Sequence, residues 1–271
     1  MRRRSWRRWL LPAVLLFGGA AGPLRLHDPN VLWKIVHDRC VPEMASTGSP
    51  SPCISVTLDG GAAHGFAVLK DIRGQTQYLL IPTARITGIE SPALLRPGAT
   101  NYFARAWDIR DLTEKRAGHE LPDADILLAI NSRRGRTQDQ LHIHVDCIRP
   151  DVLAALRRMA PGVGDGWREL PEPLVGHRYR AMWIAPDALD SQDPFRLLAA
   201  SLGGDPATLS RRMARHTLAL TGSPVPGRPG FLLLDSTAGM GSFRLTPAID
   251  FGPGSAEELE DHSCRIASGG T

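Results

Sequence analysis

Hydrophobic positions along the chain fall into short blocks separated by turn residues, and the blocks carry two different periods. Phe66-Ala67-Val68-Leu69 and Gln77-Tyr78-Leu79-Leu80-Ile81 are apolar runs joined by Asp71-Ile72-Arg73-Gly74, which predicts a hairpin that ends at Pro82. Ser55-Val56-Thr57-Leu58 is a short extended stretch ahead of the turn Asp59-Gly60-Gly61. Residues 126–130 and 141–147 predict further strands, as do 179–184, 216–220 and 231–234. Helical spacing appears elsewhere. Asp28-Pro29 predicts a cap and first-turn proline for a helix through Val31, Leu32, Ile35 and Val36 to about Cys40. Phe103, Ala106, Trp107 and Ile109 form the apolar face of a helix over 100–117, and Pro150-Asp151 opens one carrying Val152, Leu153 and Leu156. Residues 193–202 read as helical, and Ser255 with Glu258 forms a capping box for a final helix. Helices mixed with hairpin-forming strands predict an α+β fold around an antiparallel sheet.

The Gly- and Pro-rich stretch 159–173 reads as a boundary between halves at 27–160 and 174–271. Residues 217–222 followed by 230–236 match, in pattern, 126–131 followed by 141–147. The second half is therefore expected to be a pseudo-duplicate that lacks the histidines of the first.

Charge changes the picture at the N-terminus. The formal net charge is +4, but Arg2, Arg3, Arg4, Arg7 and Arg8 supply five of the 32 cations, and without them 27 face 28 anions. The body is near neutral, so no nucleic-acid partner is expected. The arginines precede an uncharged run from Trp9 to Leu24, the pattern of an export signal. As a helix this run spans roughly 24 Å against a hydrocarbon core of ~30 Å, a gap that snorkelling arginines and flanking tryptophans can close. Residues 1–26 are read as a single membrane anchor, with a cleaved signal as the alternative, and 27–271 as the exported domain. The four cysteines, Cys40, Cys53, Cys147 and Cys264, match no zinc spacing and suit an oxidising compartment. Three pairings are possible; the short loop between Cys40 and Cys53 favours that pair, leaving Cys147 for Cys264.

Candidate chemistry concentrates between Asn131 and Cys147. Leu141, Ile143 and Val145 alternate with Gln140, His142, His144 and Asp146, so the polar set shares one strand face. The preceding loop holds Gly135, Thr137 and three arginines, Arg133, Arg134 and Arg136, and can present N–H groups, a hydroxyl and guanidinium forks to a phosphate. A solvated strand face, half of a metal site with Asp146, and a nucleophilic or acid–base histidine beside a phosphate loop all fit these residues. The last uses every feature.

Leu-His-Ile-His-Val resembles the alternating signature of the histidine triad superfamily, and 68–72 with 78–82 resembles its first hairpin. Within it the chain is most similar to the bacterial CDP-diacylglycerol pyrophosphatase family, through Ser51-Pro52-Cys53, residues 77–85, Ile89-Glu90-Ser91-Pro92, Ala129-Ile130-Asn131-Ser132, Gly135-Arg136-Thr137-Gln138, residues 147–152, and Asp261-His262 with Cys264. The resemblance runs from about residue 30 to 266 and includes all four cysteines. It implies a histidine triad-like antiparallel sheet with flanking helices, and hydrolysis of CDP-diacylglycerol to CMP and phosphatidate without a metal or other cofactor. It makes His142 the nucleophile and His144 its neighbour in the triad, with Gln140 standing where the family has its first histidine. Asp71, Asn131, Arg136, Thr137, Gln138 and Gln140 are implied as substrate contacts. The partner it implies is CDP-diacylglycerol in the bacterial inner membrane, met by a periplasmic catalytic domain that is a monomer or homodimer. Other nucleotide pyrophosphates, or non-catalytic nucleotide or metal binding, are the alternatives.

Overall fold

Each apolar run becomes a strand of one sheet, because runs buried on both faces have no polar edge to offer solvent. The computed structural model describes residues 28–237 and 254–268. Among the described residues the strands are β1 (Ser55–Thr57), β2 (Phe66–Lys70), β3 (Tyr78–Pro82), β4 (Ile126–Ile130), β5 (Ile143–Cys147), β6 (Arg168–Glu169), β7 (Arg180–Ile184), β8 (His216–Gly222) and β9 (Phe231–Thr237). They form a nine-stranded, wholly antiparallel sheet in the order β1-β2-β3-β5-β4-β8-β9-β7-β6. The α+β fold is as expected. The helices are α1 (Val31–Ile35), α2 (Val41–Thr47), α3 (Tyr102–Asp108), α4 (Asp111–Ala117), α5 (Pro150–Met159), α6 (Pro194–Leu202) and α7 (Pro206–Met213).

One sheet face is a continuous core. Leu80, Leu128, Ile143, Val145, Leu218 and Leu233 pack beneath Phe103 and Trp107 of α3 and Phe195 and Leu198 of α6. Each such side chain, fully buried, contributes about 1.5–3 kcal/mol. The other face is covered in two separate places. Val36, Cys40 and Cys53 sit over Ala67, Leu79 and Ile81 at one end. Leu153 and Leu156 of α5, with Ala256 and Leu259, sit over Leu127, Ala219 and Leu234 at the other. The strand that carries the histidines lies between these two covers.

Several elements differ from the sequence reading. The first helical run starts at Val31 and continues to Thr47, with a π turn over Val36–Cys40. Pro42 lacks the N–H that Asp38 would accept in a regular helix and its ring crowds that carbonyl, so the wider turn lets the helix pass. The expected helix over 100–117 is two, broken at Ile109-Arg110. The break turns Thr113 inward, where its hydroxyl donates to the carbonyls of Thr76 (3.3 Å) and Val145 (3.2 Å). The final helix is only a 3-10 turn, Ala256–Leu259, because the Ser255 hydroxyl donates to Asn131 Oδ1 (2.9 Å) and does not cap. Helix α7 was missed, although Asp205-Pro206 carries the same signal as Asp193-Pro194. Both disulfides pair as expected, Cys40–Cys53 and Cys147–Cys264. The membrane anchor expected over 1–26 lies outside the described residues, and no described helix is long and apolar enough to cross a membrane.

The stretch 159–173 contains the edge strand β6, and the sheet crosses from one half to the other through β4–β8. Strand order β2-β3-β5-β4 is mirrored by β6-β7-β9-β8, with helices inserted after the second strand of each set. The residue match, however, is one position out. Ala129 lies opposite His144 and Ala219, and Ala219 opposite Leu234, so Leu234 shares the histidine face and Asp235 points to the other. There Asp235 accepts from Arg180 Nε (2.6 Å) and pairs with His216 Nδ1 (2.7 Å).

Candidate active site

His142 precedes the first ladder residue of β5, with Leu141 N bonded to Ile86 O (2.6 Å) and Leu80 opposite Ile143. The strand expected over 141–147 therefore begins two residues later, at Ile143, and His142 stands just ahead of it. Its orientation comes from its own main chain: Nδ1–H donates to the Gln140 carbonyl at 2.7 Å. A carbonyl only accepts, so the ring is the Nδ1–H tautomer and its lone pair is on Nε2. Burial holds the His142 imidazole below its ordinary value, which keeps that lone pair available.

His144 lies 5.0 Å from His142 between ring centroids. Gln77 Nε2 donates to its Nδ1 (2.7 Å) and to Glu260 Oε2 (3.0 Å). His144 therefore carries its proton on Nε2, a buried atom with no hydrogen-bond acceptor in reach and Glu257 Oε2 at 3.8 Å. Burial, chiefly, also lowers the His144 pKa. Both histidines line a cleft of about 210 Å³ together with Asp71, Asn131, Thr137 and Gln138. Lys70 and Arg73 bring positive charge to it, and Val31, Leu32 and Ile35 of α1 give it an apolar wall.

Six of the eight residues predicted for the site thus come together, and two do not. Arg136 is buried in a bidentate pair with Glu90, both bonds at 2.7 Å, and reaches Asp139 Oδ1 at 3.1 Å. Its side chain is 5% exposed and Glu90's 12%. A Cβ at Gly88 would stand 2.1 Å from Arg136 Nη1, so glycine there is what admits the guanidinium. Gln140 is fully buried and donates to the carbonyls of Pro82 (2.9 Å) and Ala84 (2.8 Å). It braces the end of β3 and meets His142 only through its main chain. Gln138 also fastens α1 over the cleft, accepting from Leu32 N and donating to Asp28 O, both 3.1 Å. Asp71 makes the turn expected of it as well, accepting from Arg73 N (3.0 Å).

The largest omission is the segment after residue 254. Glu257 lines the cleft, where Asn131 Nδ2 donates to its Oε2 (3.1 Å). Burial raises Glu257, but His144, Asn131 and His262 outweigh it and hold the carboxylate below its ordinary value. His262 Nδ1 donates to Asp146 Oδ2 (2.9 Å), which raises the imidazole, and its Nε2 stands 3.8 Å from Glu257 Oε1. Gly74, at φ +65°, lies so close to His262 that a Cβ would meet the histidine Cβ at 2.7 Å. Glu260 is buried beside Asp146 and Glu257, and is pushed well above the ordinary carboxyl range, first by burial. One signal could have placed this segment: His262 is two residues from Cys264, and Asp146 adjoins its partner Cys147.

Asp146, Glu260 and His262 offer ligand atoms within 4.8 Å of one another. Asp146 is already committed, because Oδ1 takes Thr76 Oγ1 (2.5 Å) and Cys147 N (2.9 Å) while Oδ2 takes His262. A metal there would have to break these bonds.

Comparison with known proteins agrees across nearly the whole length. The family model described as CDP-diacylglycerol pyrophosphatase matches residues 27–268. The CDP-diacylglycerol pyrophosphatase of Yersinia pestis is 42% identical over 268 residues, covering 98% of this chain and 96% of the relative.

Proposed function

The chain belongs to the CDP-diacylglycerol pyrophosphatase family and hydrolyses the pyrophosphate bond of CDP-diacylglycerol, and from that premise we propose that His142 is its nucleophile. In this reading Nε2 attacks the cytidylyl phosphorus. A P–N bond forms, the bridging P–O bond breaks, and its electron pair leaves on the phosphate of phosphatidate. Water then forms a P–O bond to the same phosphorus, the P–N pair returns to Nε2, and CMP departs. The observation that carries the reading is the 2.7 Å bond from Nδ1–H to the Gln140 carbonyl. It fixes the tautomer, aims the ring, and bears the positive charge that develops when Nε2 bonds phosphorus.

His144 has a buried N–H without an acceptor, and a phosphoryl oxygen would supply one. Leaving such a donor unsatisfied costs about 1–3 kcal/mol, so the site is built for an oxyanion. Thr137, Asn131 and Gln138 would contact the nucleotide or phosphates, and Asp71 the ribose hydroxyls. We place Arg136 and Gln140 outside the contact set and treat them as supports. Residues 27–271 act as one catalytic unit, because the sheet is continuous through β4–β8.

Residues 1–26 would tether the enzyme to the bacterial inner membrane, with the catalytic domain in the periplasm. The two disulfides support an oxidising compartment. The first described helix after these residues, α1, supplies apolar side chains that wall the cleft, and a diacyl substrate stays in the bilayer. The test is CMP release from CDP-diacylglycerol. His142→Ala should abolish it while CMP still binds, and His144→Ala should leave a residue of turnover. Wild-type turnover by His142→Ala removes the proposal.

A further inference from the structure

We infer that Glu257 is the general base for the second half of the reaction, held in place by Asn131 on one side and by the Asp146–His262 pair on the other. The inference rests on the covalent role given to His142 and concerns the step that undoes it.

Three observations lead there. Glu257 is the carboxylate that lines the cleft from the C-terminal cover, beside the strand that carries the histidines and facing His144. Each of its oxygens faces an imidazole Nε2 at 3.8 Å, His144 at Oε2 and His262 at Oε1. That distance is too long for a direct hydrogen bond and close enough for both groups to bear on one small molecule between them. The anchoring is unusually complete. Asn131 Nδ2 holds Oε2 (3.1 Å), Glu257's own N–H returns a bond to Asn131 Oδ1 (3.3 Å), and Ser255 takes the same oxygen at 2.9 Å. His262 is in turn fixed by Asp146, whose neighbour Cys147 is bonded to Cys264. A carboxylate tied this firmly, yet still facing a cleft, is placed for a reaction and not for stability alone.

The first displacement expels phosphatidate from the side of phosphorus remote from His142. Water must enter along that same line in the second step. The Glu257 carboxylate would take the proton of this water as its oxygen bonds phosphorus, while the P–N bond breaks and its pair returns to His142 Nε2. His262, about one-third exposed, would relay the proton outward. The charge state suits the role, since Glu257 stays ionised at neutral pH.

The test uses full-length enzyme and CDP-diacylglycerol labelled at the cytidylyl phosphorus, quenched with dodecyl sulfate at alkaline pH, which preserves a P–N bond, on the millisecond scale. With Glu257→Gln, phosphatidate should appear in a burst of one equivalent at the wild-type rate. CMP release should slow by about 10²–10⁴-fold, the range for loss of a general base, and labelled protein should accumulate. Glu257→Ala with added formate should recover CMP release and leave the burst unchanged. Equal slowing of both steps, or slowing of neither, overturns the assignment of Glu257 and leaves His142 standing. Absence of protein-bound label in wild type and both variants, with full turnover by His142→Ala, overturns both.

Discussion

Arg136→Met separates two accounts of the same residue. From its place in a loop with Gly135 and Thr137, Arg136 is expected to hold a substrate phosphate; in the fold it is spent on Glu90. Both bonds of that pair are 2.7 Å, and neither side chain is more than 12% exposed, so water screens it little. Methionine removes the guanidinium and leaves the carboxylate buried without its cationic partner, a change that costs about 3–5 kcal/mol. The double variant Arg136→Met/Glu90→Leu should recover most of that loss, since two apolar groups of similar volume leave no buried charge unpaired and Asp139, the other partner of Arg136, is half exposed to solvent. Urea unfolding of both variants and wild type gives the stabilities, and steady-state kinetics below the transition gives KM. The acid side adds a second check. Burial alone pushes Glu90 up, but Arg136 outweighs it and holds the carboxyl below its ordinary 4.5. A depressed carboxyl contributes stability that is fully present above that value and is lost as pH falls through the folded-state pKa. Wild type should therefore lose its advantage over the double variant below about pH 4.5. A stability change under about 1 kcal/mol, together with a KM raised about tenfold, the signature of one lost binding contact, would refute the structural role.

Three further outcomes follow from the same geometry. Replacing Cys147 and Cys264 together by alanine opens a loop of 117 residues, for which the chain-entropy model gives a loss of about 5 kcal/mol, against about 3 for Cys40–Cys53; thermal and urea denaturation of the two double variants measures the difference. Gln140→His should keep CMP release near the wild-type rate, because the side chain braces Pro82 and Ala84 and the bond from His142 goes to its main chain; a large rise in KM would instead put residue 140 in the cleft. The first-step rate should stay flat as pH falls through 6.5, the ordinary imidazole value, since burial lowers the His142 pKa and the nucleophile remains unprotonated; a rate that halves near pH 6.5 in single-turnover assays would contradict that environment.

Much of this arrangement is legible in the sequence. The alternation from Gln140 to Asp146 puts His142 and His144 on one face; the ladder with β4 and β3 keeps His144 there, and the bond to the Gln140 carbonyl aims His142 just ahead of it. Period two is a local property of a strand, so no tertiary knowledge is needed. Arg136 fails for the opposite reason: a loop guanidinium looks free until its carboxylate, 46 positions earlier, is folded against it. Gln140 fails because strand parity gives a face and not what lies on it; here that is the carbonyl edge after β3. Glu257 and His262 arrive from more than 110 positions away, and their local pattern, a serine three residues before a glutamate, suggests a helix cap. Asn131 takes that serine's hydroxyl, and the helix does not form. The one-residue slip between the halves has a similar origin, since apolar strands match in either register until a partner strand sets the face.

The central claim is that phosphorus is transferred twice, first to His142 and then to water. Each in-line displacement inverts the configuration at phosphorus, so two of them restore it. The direct measurement uses CDP-diacylglycerol made chiral at the cytidylyl phosphorus with sulfur, hydrolysed in ¹⁸O-labelled water, with the configuration of the released CMP thiophosphate read by ³¹P NMR. Net retention, with ¹⁸O in CMP and none in phosphatidate, is the result this account predicts. Net inversion, or ¹⁸O in phosphatidate, would contradict it.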